Sequence, residues 1–170
     1  MTEEPYACAE CGFERELKTT EAVGPAIVAG VARIAEIMRR GDPALHERRT
    51  PEFWSPLEYG AHLRDVLLVQ RERVLMARRM DRPVFEPMGR DERVEHDGYA
   101  DQDPNDVARQ LMDAAAMFAN DLDRLTASDW DRTVVYNYPK TWERSLRWVA
   151  VHTLHEVRHH AMDIERQMGD

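Results

Sequence analysis

Val151-His152-Thr153-Leu154-His155-Glu156-Val157-Arg158-His159-His160 places four of the chain's seven histidines within nine residues. Leu146, Val149, Leu154 and Met162 give the surrounding sequence a helical apolar spacing, which predicts a helix from about Trp142 to the C-terminus. At about 100° per residue His155 and His159 stand one above the other on one face, with His152 on nearly the same stripe and His160 about a quarter-turn away. Neutral imidazoles at i and i+4 can share one divalent ion. The string His155-Glu156-Val157-Arg158-His159 resembles the zincin motif H-E-x-x-H, but no protease mechanism is carried over from it.

Three more long helical patterns precede this one. Val23, Ile27, Val31, Ile34 and Ile37 mark a helix over about Glu21 to Arg40, stopped by Gly41-Asp42-Pro43. Ser55-Pro56 opens a second, with Ser55 as N-cap, proline in the first helical position and Glu58 as capping-box partner; it runs to about Met80. Asp103-Pro104 opens a third, carrying Val107, Leu111, Ala114, Phe118, Leu122 and Leu125. The connection from Arg82 to Pro104 is too long to be a mere link and reads as a functional loop or lid. Thr133-Val134-Val135-Tyr136 reads as a short strand or extended segment. Four helices with one short and two long links predict an all-α, four-helix bundle over residues 21–170, preceded by a Cys-containing extension over 1–20.

Composition narrows the function. The chain has 170 residues, enough for one core without disulfides, and 23 Lys+Arg against 32 Asp+Glu give a formal charge of −9. That balance disfavours nucleic-acid partners. The longest apolar runs fall far short of the roughly 20 residues that span a bilayer, and the acidic MTEEPYACAE start lacks a secretory apolar core. The expectation is a cytoplasmic protein with no membrane partner.

A third ligand for the His155/His159 pair is at hand. His62 lies in the middle of the second helix beside Leu63 and Val66, where a neutral imidazole without a partner is costly to bury. His62, His155 and His159 would leave a coordination position open, as catalytic metal sites do. Glu58 and Asp65, a turn either side of His62, are candidates for a base or for orienting an imidazole, although surface carboxylates have the same spacing. Separately, Cys8-Ala9-Glu10-Cys11-Gly12-Phe13 suits a zinc knuckle, the glycine relaxing a turn that aims amides at thiolates. His46, His96, His152, His160 or another subunit's cysteine pair would complete that site. Free or redox-active thiols are the alternative, and a third arrangement brings Cys8 and Cys11 over the histidines and closes the open position.

Trp54-x3-Glu58-x3-His62 together with His155-x3-His159-His160-x2-Asp163-Ile164 resembles the DinB-like superfamily of metal-binding four-helix bundles, over about Ala22 to Gln167. More narrowly, Cys8-x2-Cys11-Gly12-Phe13, Leu67-Leu68-Val69-Gln70-Arg71, Arg90-Asp91-Glu92-Arg93-Val94 and His152-Thr153-x-His155-Glu156 look like an actinobacterial subgroup of it. The resemblance implies a divalent ion, zinc first with nickel or iron as options, on His62, His155 and His159. It also implies transfer of a low-molecular-weight thiol such as mycothiol to a small-molecule substrate, and a homodimer. The mycothiol-dependent maleylpyruvate isomerases of that superfamily carry a further C-terminal domain, so that particular reaction is not expected for a chain ending at Asp170. The rival expectations are a non-catalytic metal- or ligand-binding stress-response protein with a closed metal site, and a metal-free scaffold.

Overall fold

The structure, a computed structural model, describes residues 6–18 and 20–169. The start of the expected extension, residues 1–5, and Thr19 beside its expected boundary lie outside the described residues. Four long helices carry the fold: α1 (Val23–Arg39), α2 (Pro56–Arg79), α4 (Pro104–Asp123) and α6 (Leu146–Met168). Two short ones, α3 (Arg90–His96) and α5 (Ala127–Trp130), lie in the connections. Helix α1 packs on α4 and α6, and α2 packs on the same two, so the consecutive helices α1 and α2 occupy opposite corners of the bundle.

Local chemistry explains where the long helices begin. At α2, Ser55 Oγ accepts from Glu58 N at 3.2 Å while Glu58 Oε2 accepts from Ser55 N at 2.7 Å, the reciprocal capping box expected from the sequence. At α4, Asp103 Oδ1 accepts from Asn105 N and Asp106 N, and Pro104 fills the first helical position. Ile27, Ile34, Met38, Leu57, Leu63, Leu111, Phe118 and Ile164 are fully enclosed between the four helices. At Gly30 a Cβ would come within 2.8 Å of Val157 Cγ1, so α1 and α6 approach there more closely than a side chain allows.

The all-α expectation needs correction: the protein is mostly helical but has a three-stranded sheet. Its order is β1 (Val84–Phe85), β2 (Thr133–Asn137), β3 (Thr141–Ser145), with β1 parallel and β3 antiparallel to β2. Residues 142–145, expected to form the first turn of the last helix, pair with β2 instead, Val135 opposite Glu143 and Tyr136 opposite Trp142. Helix α6 therefore starts at Leu146, with Ser145 Oγ accepting from Trp148 N. Pairing partners far away in the chain decide such short strands, and helical periodicity does not register them. The 82–104 connection is likewise not an open loop. It holds β1, α3 and a single 3-10 turn at Tyr99–Asp101, and α3 is bracketed by Gly89 and Gly98 at φ 67° and 56°, a left-handed backbone suited to glycine.

Candidate metal centre and cleft

Helix α6 carries its histidines on two faces. On one, His155 and His159 meet Cys8 and Cys11, and one ligand atom from each of the four lies within 4.8 Å of the others. On the other, Glu156 and His160 meet His62 of α2 under the same criterion. A third grouping, His152, His155 and Glu156, joins the two. The triad His62, His155 and His159 expected from the sequence is therefore not assembled among the described residues. The i,i+4 pair facing His62 is Glu156/His160, one residue further along and about 100° around the helix. His152, Glu156 and His160 share that stripe, a spacing visible in the sequence but masked by the purely histidine pair beside it. The string from His155 to His159 does match H-E-x-x-H letter for letter. Even so, Glu156 turns toward His62 and His160, 3.5 Å from His160 Nε2, with His155 Nδ1 at 3.9 Å.

The donors suit a cation. His62 Nδ1 and His155 Nε2 are buried without a hydrogen-bond partner among the described residues, a cost that a bound ion would remove. Burial, reinforced by the His160 charge, pushes His62 down to about 3. Burial also pushes His155 down to about 4 in spite of Glu156. Both imidazoles are therefore neutral, the form that binds metal. Burial opposes the charge on Glu156, but the His160 bond and the neighbouring imidazoles outweigh it and hold the carboxyl well below the usual range. His160 Nδ1 is 2.9 Å from Asp163 Oδ2; burial works against its charge, yet the bonds to Asp163 and Glu156 push it up to about 9. An ion entering beside it must displace that proton. With that proton gone, two imidazole nitrogens and one carboxylate would be available to hold an ion, fewer ligands than a closed site uses.

Two of these three donors, His62 and Glu156, line a cleft of about 260 Å³ between α2, β2, α6 and the Pro87–Glu92 segment. Its lining includes His62, Gln70 and Arg73 of α2, Tyr136 of β2, and His152 and Glu156 of α6. Tyr136 Oη accepts from Arg73 Nη1 at 2.9 Å and from Gln70 Nε2 at 3.0 Å, and Arg73 also reaches the Glu86 carbonyl. Arg73 is only 8% exposed and has no carboxylate partner among the described residues. Trp148 stacks on His152 at 4.5 Å and 8°, which fixes that ring at the edge of the cleft.

Of the two carboxylates proposed as helpers, neither lines the cleft. Glu58 closes the α2 cap and holds Arg48 Nε at 2.7 Å. Asp65 accepts from Tyr99 Oη at 2.6 Å, Arg64 Nε at 2.8 Å and Arg93 Nη1 at 3.2 Å, which ties α3 and the following turn to α2. Not expected from the sequence are Glu156 as a ligand, His160 as a partner of His62 rather than of the cysteines, and Arg73 as a cleft cation. His46 Nδ1 lies 3.2 Å from the Ala100 carbonyl, and His46 and His96 join none of the ligand groups.

A helical bundle with a group of side chains able to hold a metal ion between α2 and α6, beside a cleft, defines the protein class. The chain belongs to the DinB superfamily, which it matches over residues 31–164. Among solved structures it is similar to YfiT from Bacillus subtilis, described as a probable metal-dependent hydrolase with an unusual four-helix bundle topology. That likeness has a TM-score of 0.72 at 16% identity, covering 99% of this chain and 94% of YfiT, and it is a likeness of fold. No curated protein matches the chain. Among the described residues no helix is long and apolar enough to cross a membrane.

Proposed function

We propose that this protein is a divalent-metal-dependent enzyme that transfers a low-molecular-weight thiol of the mycothiol type to a small anionic electrophile in the cleft. The observation that carries the reading is the His62–Glu156–His160 group beside a cleft that is also lined by buried Arg73, which has no carboxylate partner among the described residues. His62, Glu156 and His160 would hold a zinc, nickel or iron ion, which would lower the pKa of a thiol or water molecule and so supply a nucleophile at neutral pH.

The chain's own residues supply the rest. His62 and His160 offer nitrogens, and Glu156 offsets part of the ion's charge. Arg73, held by Tyr136 and Gln70, offers guanidinium N–H groups to a carboxylate or similar anion of the electrophile. The Pro87–Glu92 segment, which includes the first residues of α3, lines the cleft beside them. In the transfer itself the thiol loses its proton to solvent, an S–C bond forms, and the leaving group departs with its electron pair. The cytoplasm, where small thiols are kept reduced, is the compartment this chemistry needs.

The test is to load the metal-free full chain with zinc, nickel or iron(II) and follow consumption of mycothiol with an anionic alkyl chloride. Thiol loss and chloride release that depend on metal and disappear in His62→Ala and Glu156→Gln support the reading. Metal-dependent ester or amide cleavage without any thiol requirement would replace it with the hydrolase reading suggested by the likeness to YfiT. Normal thiol transfer by both variants would refute the assignment of the site.

A further inference from the structure

The described part of the N-terminal segment is a tight hairpin. Ala7 bridges Glu14, Cys8 N donates to the Phe13 carbonyl at 2.9 Å, Arg15 N donates to the Tyr6 carbonyl at 2.8 Å, and Gly12 N donates to the Cys8 carbonyl at 2.9 Å. Gly12 adopts φ +69°, which lets the turn close and brings Cys8 and Cys11 to the same side. Phe13 and Leu17 pack against the bundle core, with Phe13 5.4 Å from the His155 ring, so apolar contact sets the hairpin on α6. The thiols are free. Cys8 Sγ lies 3.8 Å from His159 Nδ1, near the ~3.5 Å sulfur–nitrogen edge of a tetrahedral zinc site.

We infer that Cys8, Cys11, His155 and His159 bind a zinc ion of their own, a closed Cys2His2 site that clamps the hairpin onto α6. Four ligand atoms within 4.8 Å of one another match the number and kind that structural zinc takes, and no position remains for substrate. His155 Nδ1 faces Arg15 at 3.4 Å, which leaves the buried, partnerless Nε2 as the donor. His159 directs Nδ1 at Cys8 and Nε2 toward Asp163 and Glu10, each at 3.7 Å, the carboxylate backing that orients zinc-bound imidazoles. This ion is independent of the one in the cleft. It accounts for the pair of histidines that the His62 set leaves unused, and by gripping one face of α6 it holds Glu156 and His160 turned to the other.

The experiment is cobalt(II) substitution of the full chain, read by absorption and by metal content. Wild type is expected to show thiolate-to-cobalt charge-transfer absorption together with metal at both sites. Cys8→Ser/Cys11→Ser should lose the charge-transfer band and one equivalent of metal; His159→Ala should weaken or shift that band. His62→Ala should lose one equivalent with the band intact, so failure of the cleft site and failure of this one are told apart. Circular dichroism checks that each variant is folded, and His159→Ala, which touches one partly exposed side chain, serves if the double cysteine variant is not. A wild-type chain without the band, a band unchanged by His155→Ala/His159→Ala, or a Cys8–Cys11 disulfide in protein purified under reductant overturns the inference.

Discussion

Asp65→Asn separates an anchoring carboxylate from a catalytic one. Asp65 is 6% exposed and accepts from Tyr99 Oη, Arg64 and Arg93; Tyr99 is fully buried. An amide in its place keeps one acceptor but turns an N–H₂ toward donors and removes the buried counter-charge of Arg64 and Arg93, leaving Arg93 only the more exposed Asp97 at 3.8 Å. Losing one charge-assisted bond costs about 1.5–3 kcal/mol. Breaking a buried pair costs about 3–5 kcal/mol, and the 37% exposure of the Arg93 side chain keeps the sum at the low end. The expected destabilisation is therefore about 3 kcal/mol at pH 7. With an urea m-value of about 2 kcal/mol/M, the midpoint of unfolding falls by roughly 1.5 M.

The pH dependence has a definite sign. Burial alone would raise the Asp65 pKa, but the bonds from Arg64 and Tyr99 and the Arg93 charge more than reverse that and hold it below the usual carboxylate value. Its stabilisation is thus full above the unfolded pKa of about 3.9 and fades as pH falls through the lower folded value. The gap between wild type and Asp65→Asn should accordingly narrow in acid. A gap below about 1 kcal/mol at neutral pH, or one that widens in acid, would refute the anchoring role.

Other consequences are more direct. Ser55→Ala removes one half of the α2 capping box and should cost about 1 kcal/mol by urea denaturation, with metal content unchanged. Arg73→Met removes a buried guanidinium that has no carboxylate partner among the described residues; stability should stay within about 1 kcal/mol of wild type, while KM for an anionic electrophile rises and kcat changes less. Metal binding at the cleft should release a proton from His160, whose pKa lies near 9 in the metal-free protein. Calorimetry at pH 7 in buffers of different ionisation enthalpy should detect that release, with affinity rising toward pH 9; no buffer dependence would contradict it. Phe118→Ala opens the fully enclosed centre of the bundle and should cost about 3–5 kcal/mol in the same urea assay.

Much of the fold was local and therefore legible. Ser55-Pro56 with Glu58 and Asp103-Pro104 start helices because the cap, the proline and the orphan amides lie within four residues of one another. Apolar spacing from Val23 to Ile37 reports α1 for the same reason. The chemistry of the site was also legible as a cluster of donors on one helix with His62 on another and a Cys pair near the start. What sequence left undetermined was the partner of each. His155/His159 and Glu156/His160 are i,i+4 pairs one residue apart, and only the rotation of α6 against α2 and the hairpin decides which pair meets His62. The same holds for β3, whose five residues suit a helix start until β2 lies beside them, and for Asp65, whose role depends on Tyr99 and Arg93 folding back over α2. Periodicity and capping are set by neighbours in the chain; ligand sets, short strands and buried ion pairs are set by groups that only the packed bundle brings within a few ångströms.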